Sequence, residues 1–270
     1  MQSAKSRSRR GQKAEFRNGL ARSLLASGCL LILCTHLTSG ATLTEQLEKA
    51  IVDGNQKRFE ALLAQAPDIN AKTVTTTPLI HEAVYFGREK MFEALLAKGA
   101  DVRAVDSDGW TTLHVAALGG NTHLVERLLG LGLDANSRVR SDGMTPLVAA
   151  AVRGHTEVIR LLLAHHADLS IPDFGGNTPL IHASMRGRTA AARLLIDRGA
   201  DPNIASRPGW TALMAAAREG HRDIVELLLK HGANAQATNV QGESALSLAE
   251  SAGFGQIAKR LAKSKPQVRL

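Results

Sequence analysis

A chain of 270 residues, 44% hydrophobic but only 3% aromatic, has enough apolar material for a buried core, and that core must be built of Leu, Ala, Val and Ile. A formal charge of +8 would point to nucleic acid or an acidic membrane if it were spread over the fold, but residues 1–41 carry seven bases against one acid, leaving 26 bases and 24 acids in 42–270. So nearly neutral a body argues against the phosphate attraction that dominates nucleic-acid affinity, and Cys29 and Cys34 both lie in the N-terminal segment, so its removal would leave no thiol for redox chemistry.

Residues 1–22 are basic, and residues 24–37 form an apolar run of signal-peptide length. Ser39-Gly40-Ala41 then offers the small side chains that a signal peptidase accepts. Residues 1–41 are therefore expected to be a signal peptide cleaved after Ala41, giving a periplasmic or secreted product that starts at Thr42. The run is shorter than the roughly 18 to 20 residues that span a bilayer and contains Thr35 and His36. A retained anchor is the alternative, and an acid-poor, Arg-rich start leaves a mitochondrial transit peptide open.

Beyond residue 42 a glycine recurs at Gly54, Gly87, Gly120, Gly154, Gly187, Gly220 and Gly253, in steps of 33 with a single 34. Leucine pairs (Leu62-Leu63 to Leu228-Leu229) and an aspartate series (Asp68, Asp101, Asp134, Asp168, Asp201) keep the same register. Each unit pairs a short Ala-rich segment, such as Leu113 to Leu118, with an amphipathic one, such as Thr122 to Leu129. Thr111, Thr145, Thr178, Thr211 and Ser244 can cap the first helix, and Pro146 and Pro179 suit its first turn. Gly99, Gly132, Gly199 and Gly232 can end the second helix left-handed, a role in which His166 once replaces glycine. The 34-residue step places an extra residue in the Ser137 to Ser141 loop, and Thr77-Pro78 arrives one residue early.

The period and the stretches TTLHVAA (111–117), TPLVAAA (145–151), TPLIHAS (178–184) and TALMAAA (211–217) resemble the ankyrin repeat family. The resemblance covers residues 45 to about 262. It implies an all-α solenoid of about seven units, each a β-turn and two antiparallel helices, with degenerate caps. The expected organisation is an N-terminal capping unit at 42–77, five repeats at 78–243, a C-terminal capping repeat at 244–264 and a basic tail at 265–270. Glu45, Glu48, Lys49, Gln56 and Lys57 would form the polar outside of the first cap, and Lys259, Arg260 and Lys263 that of the last.

His114 falls at the family's TPLH position, and His155 and His221 follow the repeat glycine, so these read as hydrogen-bonded repeat residues. His165, His166 and His182 lie off the pattern and read as residues of a solvated loop. No HExxH, GxSxG, GxxxxGK[ST] or strand-linked GxGxxG is present, so no catalytic residue, cofactor or metal is expected. An enzyme with an unrecognised site is the reading from another class.

In this family partners are usually held by turn tips and the exposed side of the first helix, which together form a concave face. The residues before each cap include Trp110, Met144 and Trp210, and the pairs before each repeat glycine include Tyr85, Leu118, Arg153, Met185, Arg186 and Arg218. Phe174 joins them at a turn tip. Both tryptophans and the single tyrosine gather here in an aromatic-poor chain, which resembles a binding hot spot. The expectation is a non-catalytic scaffold that binds a protein partner there, with Trp110 and Trp210 as exposed anchors; packing within the family pattern is the competing explanation. A secreted effector acting inside another cell is the alternative role. The absence of Asn-x-Ser/Thr sequons and of cysteines in 42–270 sits better with a bacterial source.

Overall fold

The computed structural model describes residues 42–66, 68–70 and 77–264. The expected signal peptide and basic tail lie outside the described residues. Seven helix pairs follow one another: α1 Leu43–Val52 with α2 Gln56–Leu63, α3 Leu79–Tyr85 with α4 Glu89–Ala97, α5 Thr112–Gly119 with α6 Thr122–Gly130, and α7 Pro146–Arg153 with α8 Thr156–Ala164. The remaining pairs are α9 Pro179–Met185 with α10 Thr189–Asp197, α11 Ala212–Glu219 with α12 Arg222–Lys230, and α13 Ala245–Ser251 with α14 Gly255–Ala262. We call these units one to seven.

First helices stack in order, α5 on α7, α9 on α11 and α11 on α13, because residues such as Ala116, Ala117, Ala150, Ala151, Ala216 and Ala217 are small and fully buried. The second helices form the outer row, their leucine stripe (Leu95, Leu128, Leu162, Leu195, Leu228) buried in one continuous core. The outer row is tied across units by exposed ion pairs such as Arg127–Glu93 and by Arg260–Glu226.

Every first helix from α5 onward starts as the sequence suggests. The hydroxyl oxygens of Thr111, Thr145, Thr178, Thr211 and Ser244 each accept the backbone N–H three residues on. In α3 the early Thr77-Pro78 puts Pro78 at the cap, which therefore has no side-chain acceptor to offer. At the outer-helix ends, Gly99, Gly132, Gly199 and Gly232 have positive φ, and His166 adopts φ 63 in their place. It is the only non-glycine among the described residues to do so.

Glu48 departs from expectation. It faces inward from α1 onto α3, where it is buried near the equally buried Glu82, and so belongs to the interior and not to the polar outside of the cap. Burial, followed by the Glu82 and Glu45 carboxylates, pushes its pKa up to about 7.

Candidate partner-binding face

Five short fingers, at 105–111, 139–145, 173–178, 206–211 and 239–244, project ahead of α5, α7, α9, α11 and α13. Each closes on itself: Asp106, Val139, Asp173, Ser206 and Asn239 donate their backbone N–H to Trp110, Met144, Asn177, Trp210 and Glu243 carbonyls. Side-chain oxygens of Asp106, Asp173, Ser206 and Asn239 return the bond by accepting the N–H four residues on. The fingers are also joined to each other. The N–H groups of Ser141, Phe174, Arg207 and Val240 donate to the carbonyls of Asp108, Asp142, Gly175 and Pro208 on the preceding finger, at 2.7–3.1 Å. The approach is close enough that a Cβ on Gly176 would lie 2.6 Å from the Arg207 nitrogen, so only glycine fits.

The opposite end of each first helix is completed by the next unit. The residue after the repeat glycine reaches back one unit: Arg88 donates to the Ile51 and Val52 carbonyls, His155 Nε2 to Leu118, Arg188 to Val152 and His221 Nε2 to Met185. These side chains cover Gly54, Gly120, Gly154 and Gly187. His155 and His221 are thus the hydrogen-bonded repeat residues that the sequence suggests.

His114 braces finger to helix. Its Nε2 donates to the Met144 carbonyl at 3.0 Å while Nδ1 accepts from the Thr111 backbone N–H and hydroxyl. Burial pushes its pKa down to about 4, so the ring is neutral and both nitrogens keep their roles. His81, donating to the Ala104 carbonyl, is likewise lowered to about 4 by burial. His182 is not in a solvated loop: it lies fully buried on α9, 2.8 Å from Asp173 in the adjoining finger. Burial opposes ionisation of Asp173, but hydrogen bonds and charge from His182, with bonds from Asn177, together hold its pKa below the usual carboxylate value. His165 and His166 are exposed, as expected.

The ten residues expected to meet a partner separate into three groups. Trp110, Leu118 and Met144 are buried, Trp110 to 3% exposure, and take no part in an open surface. The Trp110 ring turns in against His114, with centroids 5.7 Å apart, and Leu118 and Met144 are enclosed between stacked units. Trp110 is therefore a packing residue and not an exposed anchor. Tyr85, Met185, Trp210 and Arg218 are half-buried, whereas Arg153, Phe174 and Arg186 are exposed.

Three of these residues take part in cation–π contacts. The Arg218 guanidinium lies 5.1 Å from the Trp210 ring centroid, which joins the end of α11 to its finger. Arg138 sits 5.1 Å over Phe174 and also donates to the Pro172 carbonyl. Tyr85 meets Phe86 edge to face. Sequence reasoning missed Arg138, Arg207 and Val240; Val240, at 69% exposure, is the most open of the large apolar residues described. The available signal was their place in the finger register, since Phe174, Arg207 and Val240 each stand four residues before a cap.

Among the described residues no three His, Cys, Asp or Glu side chains are grouped to hold a metal ion, and no helix is long and apolar enough to cross a membrane.

A search of curated proteins gave no match. The crystal structure of the human ASB11 ankyrin repeat domain is similar, with 31% identity and a TM-score of 0.71 over 82% of this chain and 99% of that one. The family model for ankyrin repeats in three copies matches residues 47–139, 80–173, 113–206 and 204–270, nearly all of the described solenoid. With the 33-residue register, the paired helices and the linked fingers, these matches lead to one conclusion: the chain belongs to the ankyrin repeat family.

Proposed function

We propose that this protein is a non-catalytic scaffold, exported to the periplasm or secreted, that holds a protein partner on the face between its fingers and first helices. Ankyrin repeats are generally protein–protein interaction modules, and the proteins built from them are typically not enzymes. The observation that carries the choice of face is the exposure of Phe174, Arg153 and Arg186 beside half-buried Trp210 and Met185, on a backbone fixed by finger-to-finger hydrogen bonds. Rigid aromatic and Arg side chains are the types that dominate binding energy. A photo-crosslinking residue at position 186 should capture the partner, whereas one at exposed Arg160 on outer helix α8 should not. Adducts formed only from position 160 would move the site to the outer row.

Export rests on the order of basic start, apolar run and Ser39-Gly40-Ala41, and a bacterial source is part of the same proposal. N-terminal sequencing of protein recovered from periplasm or medium should begin at Thr42. A start before Ser39 would overturn cleavage and favour a retained anchor. The effector role differs only in where the partner resides, and recovery of the protein from inside a second cell would favour it.

A further inference from the structure

The near-neutral charge of residues 42–270 hides a segregation by face. Between Lys98 and Lys230 the chain has thirteen arginines and no lysine. Six of them, Arg138, Arg140, Arg153, Arg186, Arg207 and Arg218, lie in or within one residue of the fingers and first-helix ends of units four to six. The same segments hold three acids, each with a partner in the chain: Asp142 accepts from the Met144 N–H, Asp173 from His182 and Asn177, and Glu219 lies 3.8 Å from Arg218. Four of the arginines, Arg138, Arg140, Arg153 and Arg207, carry no carboxylate within salt-bridge distance among the described residues. The outer helices of the same three units differ, since there the four bases Arg160, Arg193, Arg222 and Lys230 are equalled by the four acids Glu157, Asp197, Asp223 and Glu226.

Arginine's planar fork binds carboxylates in pairs of hydrogen bonds and stacks on aromatic rings, neither of which lysine does as well. Arg138 and Arg218 already stack on Phe174 and Trp210, which places cationic groups beside apolar surface. The basic zone is also bounded. Asp106 and Asp108 occupy the finger of unit three and Glu243 that of unit seven, so cationic character spans three units and stops.

Building on the proposed concave-face function, we infer that units four to six bind an acidic, extended polypeptide segment. Carboxylates of that segment pair with Arg153, Arg186 and Arg207, and its apolar side chain seats beside Phe174 and Trp210. A phosphate backbone fits less well, because it would leave Phe174 and Trp210 unused and would meet Asp106 and Asp108 on continuing past unit four.

The test is to pan a library of random peptides of about 12 residues against the full chain, with affinities of enriched peptides measured at low and high salt. Enriched sequences should be acidic and contain Phe, Trp or Leu. Their affinity should fall about tenfold or more in an Arg153→Gln/Arg186→Gln variant whose thermal unfolding is unchanged, and again on raising the salt. Neutral or basic peptides that still depend on Phe174, as judged by Phe174→Ala, would overturn the acidic partner while leaving the concave-face reading intact. Peptides insensitive to all of these substitutions, or no enrichment at all, would overturn both. An oligothymidylate of similar length that binds as tightly as the peptides would overturn the assignment in favour of nucleic acid.

Discussion

At the scale of single residues, the most informative are those that break the repeat and still fill its geometry. His166 holds φ 63 at a position where glycine stands in four other units. A side chain in that conformation costs roughly 1 to 2 kcal/mol, and His166 is exposed, so its ring adds little packing in return. His166→Gly is therefore expected to raise stability by about 1 kcal/mol in urea unfolding, within the range of compatible loop substitutions; no gain would mean that the ring makes a compensating contact. Buried His81 and His114 set an acid limit. Their folded pKa of about 4 lies below the 6.5 of a free imidazole, so the unfolded chain binds more protons between those values, and stability is full above pH 6.5 and falls as pH drops toward 4. Glu48 works in the opposite direction. Its folded pKa of about 7 against 4.5 means that stability falls as pH rises through that window. Glu48→Gln should thus stabilise the protein at pH 7.5, on the order of 1 to 3 kcal/mol, and should enlarge the loss seen on going from pH 7.5 to pH 5. An unchanged pH difference would show that Glu48 does not titrate in this range.

At the scale of elements, what joins one unit to the next was only partly legible in the sequence. Caps such as Thr145 and Thr178 could be read because they act three residues away, and His155 because it recurs with the glycine. Links between loops a full repeat apart could not. Asn136 donates to the His166 carbonyl and accepts from the Asp168 N–H, a pair of hydrogen bonds between loops that recurs with Asn70 and Asn203. Asn136→Ala removes both links at an exposed site and should cost about 1 to 2 kcal/mol by thermal unfolding. The two tryptophans show the limit of reading by analogy. Both sit in a Gly-Trp-Thr stretch, but the ring of Trp110 lies on His114, whereas α11 carries Met214 at that place and Trp210 is instead capped by Arg218. With Trp210 replaced by Phe, the remaining Trp110 fluorescence should be blue-shifted and resist iodide; with Trp110 replaced, the emission should be quenched more readily. Equal quenching of the two would contradict this division.

At the scale of the whole molecule, fold class and unit count followed from the glycine register, because a linear stack repeats its local rules. The proposed binding face did not, because summed charge cannot tell which arginines share a surface; Arg127 and Arg186 count alike in a total but stand on opposite rows. The linear stack also predicts how damage spreads. Leu162 is fully buried in α8 of the central unit, and Leu162→Ala should cost about 2 to 5 kcal/mol in chemical unfolding. Stability here is a sum of units and their interfaces, so the loss should appear across the array, with neighbouring units losing amide-exchange protection more than units one and seven. Uniform loss at both ends would point to a single cooperative block.

The reach of Arg88, His155, Arg188 and His221 back over the preceding glycine gives the stack an arrow. In units one, three, four and five the end of the first helix is covered by a residue of the next unit, which leaves the ribosome later. Closure therefore follows chain order, and a chain cut short just after any of these four units would leave the end of that unit's first helix uncovered.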